Sequence, residues 1–231
     1  VLEPMGRRLK GIRLDSGDLA YLSKKVRKML DDAGLTDCKI VVSNSLDEYT
    51  ITSILNQGGQ IDSFGVGERL ITSKSEPVFG GVYKLAAVED EAGHIIPKIK
   101  ISENAAKITN PHFKKVYRLF ERETGKAFAD LITLYDETVD GSRPLELFDP
   151  EATWKRKTFA AFTAKELLLP IFLGGKRVYS SPSIGEMRAY CAGQIDLLWD
   201  EVKRFENPHH YYVDLSQKLW DIKQQLLESR R

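Results

Sequence analysis

The sequence predicts an α/β fold in three stretches: parallel strands and helices over residues 1–80, an antiparallel β-rich segment over 81–148, and a mainly helical region over 149–231. Two patterns carry this. First, three short apolar runs near the start, at residues 11–14, 39–43 and 61–66, each end abruptly in small, polar or glycine residues. The first two lead straight into helical patterns, an order of strand, polar turn and helix that α/β folds use to hold ligand-binding groups at the carboxyl ends of parallel strands. Second, from about residue 82 the apolar period changes from helical to alternating, and it becomes helical again beyond residue 183.

Taken in order, residues 18–33 read as an amphipathic helix. Leu19, Leu22, Val26, Met29, Leu30 and Ala33 recur on one face, and Lys24, Lys25, Arg27 and Lys28 mostly on the other. Asp18 suits the N-cap and Gly34 the left-handed stop. The basic run is therefore a solvated helix face and not a nucleic-acid patch. Residues 39–43 are a continuous β-branched strand, and Leu46 to Gln57 the next helix, with Ile51, Ile54 and Leu55 inward. Alternation at 82–86, 98–101, 115–119 and 130–134 predicts antiparallel strands. Ser183 and Glu186 form a capping box that opens a helix running to Asn207-Pro208, with Ile184, Met187, Cys191, Ile195, Leu198 and Val202 inward. Asp214 is expected to start a last helix, and Trp199 and Trp220 to pack between the two.

A chain of 231 residues with 42% hydrophobic and 29% charged side chains can bury a substantial core. Its formal charge of +1 gives no global pull toward nucleic acid or membrane. No run approaches the roughly 20 apolar residues that span a bilayer, and the first residues do not read as a secretory signal, so a cytoplasmic setting is expected. Cys38 and Cys191 sit among apolar neighbours and are expected to be buried free thiols. No His/Cys spacing suggests a zinc site.

The strand ends differ in chemistry. Arg13 and Asp15, two apart on a strand, face the same way and precede Ser16 and Gly17. They read either as a site that orients a polar ligand or as a buried ion pair. Ser43-Asn44-Ser45 and Gly65-Val66-Gly67 end successive strands in small residues, which lets backbone N–H groups face a phosphate or simply allows a tight turn. Asp47 reads as a helix first-turn acid, or as a ligand to a sugar or Mg²⁺.

Four blocks, Gly-Ile-Arg-Leu-Asp-Ser-Gly-Asp, Val-Ser-Asn-Ser-Leu-Asp-Glu, Phe-Gly-Val-Gly with the later Leu-Ile-Thr-Ser, and Gly-Gly-Val-Tyr-Lys-Leu, resemble nicotinate phosphoribosyltransferases in order and spacing. The resemblance extends through Lys-Val-Tyr-Arg-Leu and Gly-Lys-Arg-Val-Tyr to nearly the whole chain. It implies a fold made of the last strands of an irregular (β/α) barrel of the type II phosphoribosyltransferase kind, a β-rich segment and a C-terminal helical region. It also implies an enzyme that joins nicotinate to 5-phosphoribosyl 1-diphosphate (PRPP), with Mg²⁺ and with ATP hydrolysis coupled through a phosphohistidine, and that works as a homodimer.

Carried over residue by residue, the resemblance places Arg13 near nicotinate, Asp15 at the ribose, and Ser16 among the substrate-binding residues. Ser43, Asn44, Gly65 and Gly67 fall at the 5′-phosphate, Asp47 among the ligand-binding residues and Lys84 at the diphosphate. Lys98 and Lys100 are weaker candidates, since lysines alternating on a sheet edge are usually solubilising. Glu68 departs from the family's small hydroxylic residue. The family's N-terminal half, with its phosphorylated histidine, has no counterpart, and none of His94, His112, His209 and His210 takes that role. The chain is therefore expected to be a C-terminal portion that does not turn over alone. The rivals are a nicotinamide or quinolinate phosphoribosyltransferase, or a non-catalytic phosphate-binding subunit.

Overall fold

Val1–Gly81 and Val82–Arg231 form two separate units in a computed structural model, which describes residues 2–78, 80–104 and 107–229. In the first unit β1 (Gly11–Leu14), α1 (Leu19–Asp32), β2 (Lys39–Ser43), α2 (Glu48–Asn56), β3 (Ser63–Gly65) and α3 (Glu68–Ile71) alternate. The strands make a parallel sheet in the order β1-β2-β3, with Arg13 beside Val41 and Ser43 beside Gly65. Sheet and helices meet in one core of Leu19, Ala20, Leu30, Cys38, Ile40, Val42, Leu46 and Ile54.

Local signals set the helix ends. The Asp18 carboxylate accepts from Tyr21 N at 2.9 Å at the start of α1. Gly34 just past its end has φ +72°, a conformation glycine adopts without cost. Before α2, buried Leu46 and half-buried Ile51 join the same core on either side of the Asp47 cap, as in a hydrophobic staple. The basic face of α1 is tied to its own unit. Lys24 donates to Gln57 O at 3.0 Å, and Arg27 to Cys38 O at 2.6 Å and Leu35 O at 2.8 Å. The buried line along α1 runs through Leu19, Ala20, Ser23 and Leu30, which leaves Met29 60% exposed. Leu55 on α2 is also exposed, so the apolar stripes are narrower than the periodicity implied.

The second unit contains β4 (Ala87–Glu89), β5 (Ile95–Pro97), β6 (Lys114–Phe120), β7 (Ala127–Leu134), β8 (Leu145–Asp149), β9 (Ala152–Phe159), β10 (Thr163–Glu166), β11 (Phe172–Leu173), β12 (Lys176–Arg177), α4 (Ile184–Asp196), β13 (Tyr212–Leu215) and α5 (Gln217–Glu228). Its main sheet has the order β10-β6-β7-β13; β13 lies parallel to β7 and the other pairs are antiparallel. Tyr117, Leu119, Ala129, Leu131, Leu147 and Phe162 form one core, and Leu134, Leu215 and Leu219 another. Gly141 approaches the Phe162 carbonyl so closely that any Cβ would collide with it, and Arg122 donates to both carbonyls.

Several expectations are corrected here. The strands expected at 82–86 and 98–101 are absent. The hairpin is instead β4–β5 around Gly93, and Pro97, which has no N–H to donate, ends β5. Residues 149–231 are not mainly helical, since β9 to β13 lie within them. The helix opened by the Ser183–Glu186 capping box stops at Asp196 and buries none of its residues, and Cys191 on it is exposed, not buried. Asp214 does not start a helix. It is a buried residue of β13, and Ser216 caps α5. Trp220 stands edge-on to Phe148 at 5.9 Å, and Trp199 lines a cavity, so the two do not form a seam between helices.

Candidate active site

The carboxyl ends of β1 and β2 bring three of the expected residues into contact. One guanidinium nitrogen of Arg13, Nη1, donates to Asp15 Oδ1 at 3.1 Å and to Ser43 Oγ at 3.0 Å, and Ser43 Oγ donates to the same carboxylate oxygen at 2.5 Å. The parallel register causes this, because Arg13 pairs with Val41 and Ser43 follows two residues on, past the end of β1. The side chains of Arg13 and Asp15 are 63% and 54% exposed. A buried structural ion pair is thus corrected to an open one, which contributes little to stability. The other oxygen of Asp15 accepts no hydrogen bond among the described residues and is available to a ligand.

Beside this trio, β3 ends in Gly65, where a Cβ would stand 3.3 Å from Ser43 Cβ, so a small residue is needed for close strand approach. Gly67 is different: it precedes the four-residue α3, and a Cβ there would meet nothing within 4 Å. Between β2 and α2, Asn44 and Ser45 have φ of +101° and +47°, a costly backbone for non-glycine residues that concentrates at functional sites. Asn44 was singled out from sequence, whereas its conformation and that of Ser45 had no sequence signal, since neither is glycine. Ser16 is exposed in the turn after β1.

Asp47 has both oxygens engaged within the chain. Oδ1 accepts from Thr50 N at 2.8 Å and Thr50 Oγ1 at 2.7 Å, and Oδ2 pairs with Arg69 of α3. The geometry carries its capping role and leaves no free oxygen for a sugar or cation. Glu68 is exposed in the first turn of α3. Lys84 belongs to the second unit, and its ammonium donates to Lys107 O there. Lys98 and Lys100 follow β5 without forming a sheet edge. Among the described residues no group of three or more His, Cys, Asp or Glu side chains could hold a metal ion. No helix among them is long and apolar enough to cross a membrane.

Sequence reading also missed a cavity of about 960 Å³ in the second unit, beside the β8–β9 hairpin and lined by Asp214. Asp214 is 4% exposed, and its carboxyl is pushed up to about 6, first by burial and then by repulsion from Asp149, with His210 opposing. The native state therefore binds this proton more tightly than the unfolded chain. Its contribution to stability is full below about pH 4 and is lost as pH rises through about 6. At neutral pH the charge on Asp214 is held at a cost to stability.

Residues 113–223 match the family described as nicotinate phosphoribosyltransferase C-terminal domain. The nicotinate phosphoribosyltransferase of Bacillus subtilis (strain 168) is 47% identical over 215 residues, covering 93% of this chain and 44% of that protein. The chain is similar to nicotinate phosphoribosyltransferases over nearly its whole length. It corresponds to the C-terminal part of these proteins, spanning less than half the length of the relatives named here. The human nicotinate phosphoribosyltransferase is 31% identical over 226 residues, 94% of this chain and 41% of that protein. The crystal structure of human nicotinic acid phosphoribosyltransferase superposes on 96% of this chain and 41% of that one, with a TM-score of 0.69 at 26% identity. A nicotinate-nucleotide pyrophosphorylase from Pyrococcus furiosus shares the fold over 81% of this chain, with a TM-score of 0.54 at 23% identity. The mixed α/β fold is shared with both of these solved structures.

Proposed function

We propose that the chain carries the ribose- and phosphate-binding end of an ATP-coupled nicotinate phosphoribosyltransferase, which makes nicotinate mononucleotide and diphosphate from nicotinate and PRPP in NAD biosynthesis. The observation that carries this reading is the contact of Arg13, Asp15 and Ser43 at the open ends of neighbouring parallel strands. As the bond from ribose C1 to diphosphate breaks, the sugar gains positive character, and the Asp15 carboxylate supplies fixed negative charge beside it. Arg13 holds that carboxylate in place and offers its remaining donors to the nicotinate carboxylate. Asn44, Gly65 and Gly67 offer backbone N–H groups to the 5′-phosphate, and the Ser43 hydroxyl joins them by turning its proton from Asp15 to the phosphate. On this reading β1 to β3 are the closing strands of an irregular (β/α) barrel.

Mg²⁺ fits the reading as the companion of the diphosphate. Asp15, with one carboxylate oxygen that accepts no hydrogen bond among the described residues, is the residue that would hold it alongside the substrate's phosphates. When bound, the ion offsets the charge of the departing diphosphate. All four histidines, His94, His112, His209 and His210, belong to the second unit, and none stands at a strand end of the first unit's parallel sheet. The phosphorylated histidine of the ATP-coupled step is therefore assigned to polypeptide outside this chain. A cytoplasmic homodimer, with Lys84 reaching the diphosphate of a neighbouring subunit, completes the proposal.

The choice of pyridine tests it. Joined to the N-terminal region of the Bacillus subtilis relative and supplied with PRPP, ATP and Mg²⁺, the chain is expected to form mononucleotide from nicotinate and not from nicotinamide or quinolinate. Product from either of the other two bases alone would reassign the substrate.

A further inference from the structure

The cavity of the second unit takes no part in the reaction proposed above. Asp214 lines it while 4% exposed, and no hydrogen-bond donor among the described residues reaches its carboxylate. His209 and His210 also line the cavity, and His210 partly offsets the Asp214 charge without donating to it; the lysine and arginine side chains that share the lining are already engaged. Lys155 faces Asp149 at 3.6 Å, and Arg156 pairs with Glu146 at 2.5 Å while lying over the Phe148 ring. Lys157 lies over the Phe159 ring at 4.9 Å. The unmatched charge of the cavity is thus negative. Around it are aromatic faces: Phe128 stacked on Phe159 at 4.3 Å, Trp199, and Tyr212 edge-on to His210 at 4.9 Å.

A buried carboxylate without a donor is unfavourable, and a like-charged neighbour makes it more so. Asparagine would keep the shape without the charge. Apart from the partial offset by His210, the chain's own residues supply no counter-ion in contact with this charge, and aromatic rings such as those beside it stabilise cations through their faces. The cavity volume is in the range of sites for small organic molecules.

We propose that this cavity binds an organic cation, an ammonium or guanidinium group on an apolar stem, with Asp214 as its counter-ion and the aromatic rings around the stem. The same chemistry is offered by a free small amine and by an arginine or lysine side chain of another polypeptide segment. In either case the cation donates to Asp214 and removes the unmatched charge.

Agmatine, a guanidinium on a short apolar stem with an ammonium at its other end, is the probe, titrated into the 231-residue chain at pH 7 by calorimetry. Saturable one-to-one binding is expected, weakened about tenfold or more by Asp214→Asn and unchanged by Asp15→Asn, which separates this site from the strand-end site. The Asp214→Asn variant is expected to melt no lower than the parent chain, so lost binding is not lost fold. As a second variant, Trp199→Ala is expected to weaken binding while leaving Asp214 in place. Absence of saturable binding, or equal affinity in the parent chain and Asp214→Asn, overturns the proposal. Repeating the titration on the chain joined to the N-terminal region of a relative separates the sources. Retained binding supports a free amine, and exclusion of agmatine supports a side chain seated in the cavity.

Discussion

Replacing Asp15 by Asn is expected to lower kcat for nicotinate mononucleotide formation about 10²- to 10³-fold, the usual loss when one preorganised electrostatic group is removed from a transition state. The same change is expected to move unfolding free energy by less than about 1 kcal/mol, because the pair it breaks is solvent-exposed. Asn keeps an oxygen for Arg13 and Ser43 to donate to, so the trio keeps its shape and loses only charge. Steady-state kinetics and urea unfolding, both on the chain joined to the N-terminal region of the Bacillus subtilis relative, separate the two quantities. A fall in stability that accounts for the lost activity would make Asp15 a structural residue. An unchanged kcat would remove it from the chemistry.

The second large effect is expected in the other unit. Arg118 on β6 and Asp130 on β7 stand opposite each other, joined by two parallel hydrogen bonds of 2.9 Å, and Asp130 is 8% exposed. Tyr211 donates to Asp130 Oδ1 at 2.8 Å, and Arg118 reaches Gln194 of α4 at 3.3 Å. Asp130 thereby holds the guanidinium more strongly basic than usual, and burial with the same carboxylate pushes the Tyr211 hydroxyl up. Arg118→Ala leaves a buried carboxylate with one phenol for a partner, at an expected cost of about 3–5 kcal/mol. Replacing both partners, as in Arg118→Met with Asp130→Leu, is expected to restore much of that loss, since apolar packing often matches a buried ion pair. Urea unfolding of the single and double variants measures it. A single-variant loss below about 1 kcal/mol would show that packing alone holds β6, β7 and α4 together.

The parts of the fold legible in sequence are those governed by local chemistry. Asp18 and Ser183 show themselves as caps because a short polar side chain before an apolar run has few other uses, and Gly34 shows the helix stop because its backbone is left-handed. The trio of Arg13, Asp15 and Ser43 was legible only in part. Spacing put Arg13 and Asp15 on one side of a strand, but the register that adds half-buried Ser43 arises from pairing with β2, and the exposure of Arg13 and Asp15 had no sequence signal. What escaped was non-local. β13 is four residues long, and its partner β7 lies about eighty positions earlier, so residues 212–215 looked like the approach to a helix. Buried Asp214 then resembled a cap when it is the charged wall of a cavity. On α4 the periodicity of Ile184, Met187, Cys191 and Ile195 is present, yet nothing among the described residues covers it. An apolar stripe records a preference for cover and does not supply it.

The central claim, that the ends of β1, β2 and β3 form a ribose-phosphate site, is tested most directly by equilibrium binding of PRPP to the parent chain and to Gly65→Val. The valine would press on Ser43, which a Cβ at Gly65 already approaches to 3.3 Å, and fill the gap between the strand ends. Saturable PRPP binding by the parent chain, weakened about tenfold or more in the variant, is the predicted result. Failure of the parent chain to bind PRPP, or equal binding by both, would contradict it.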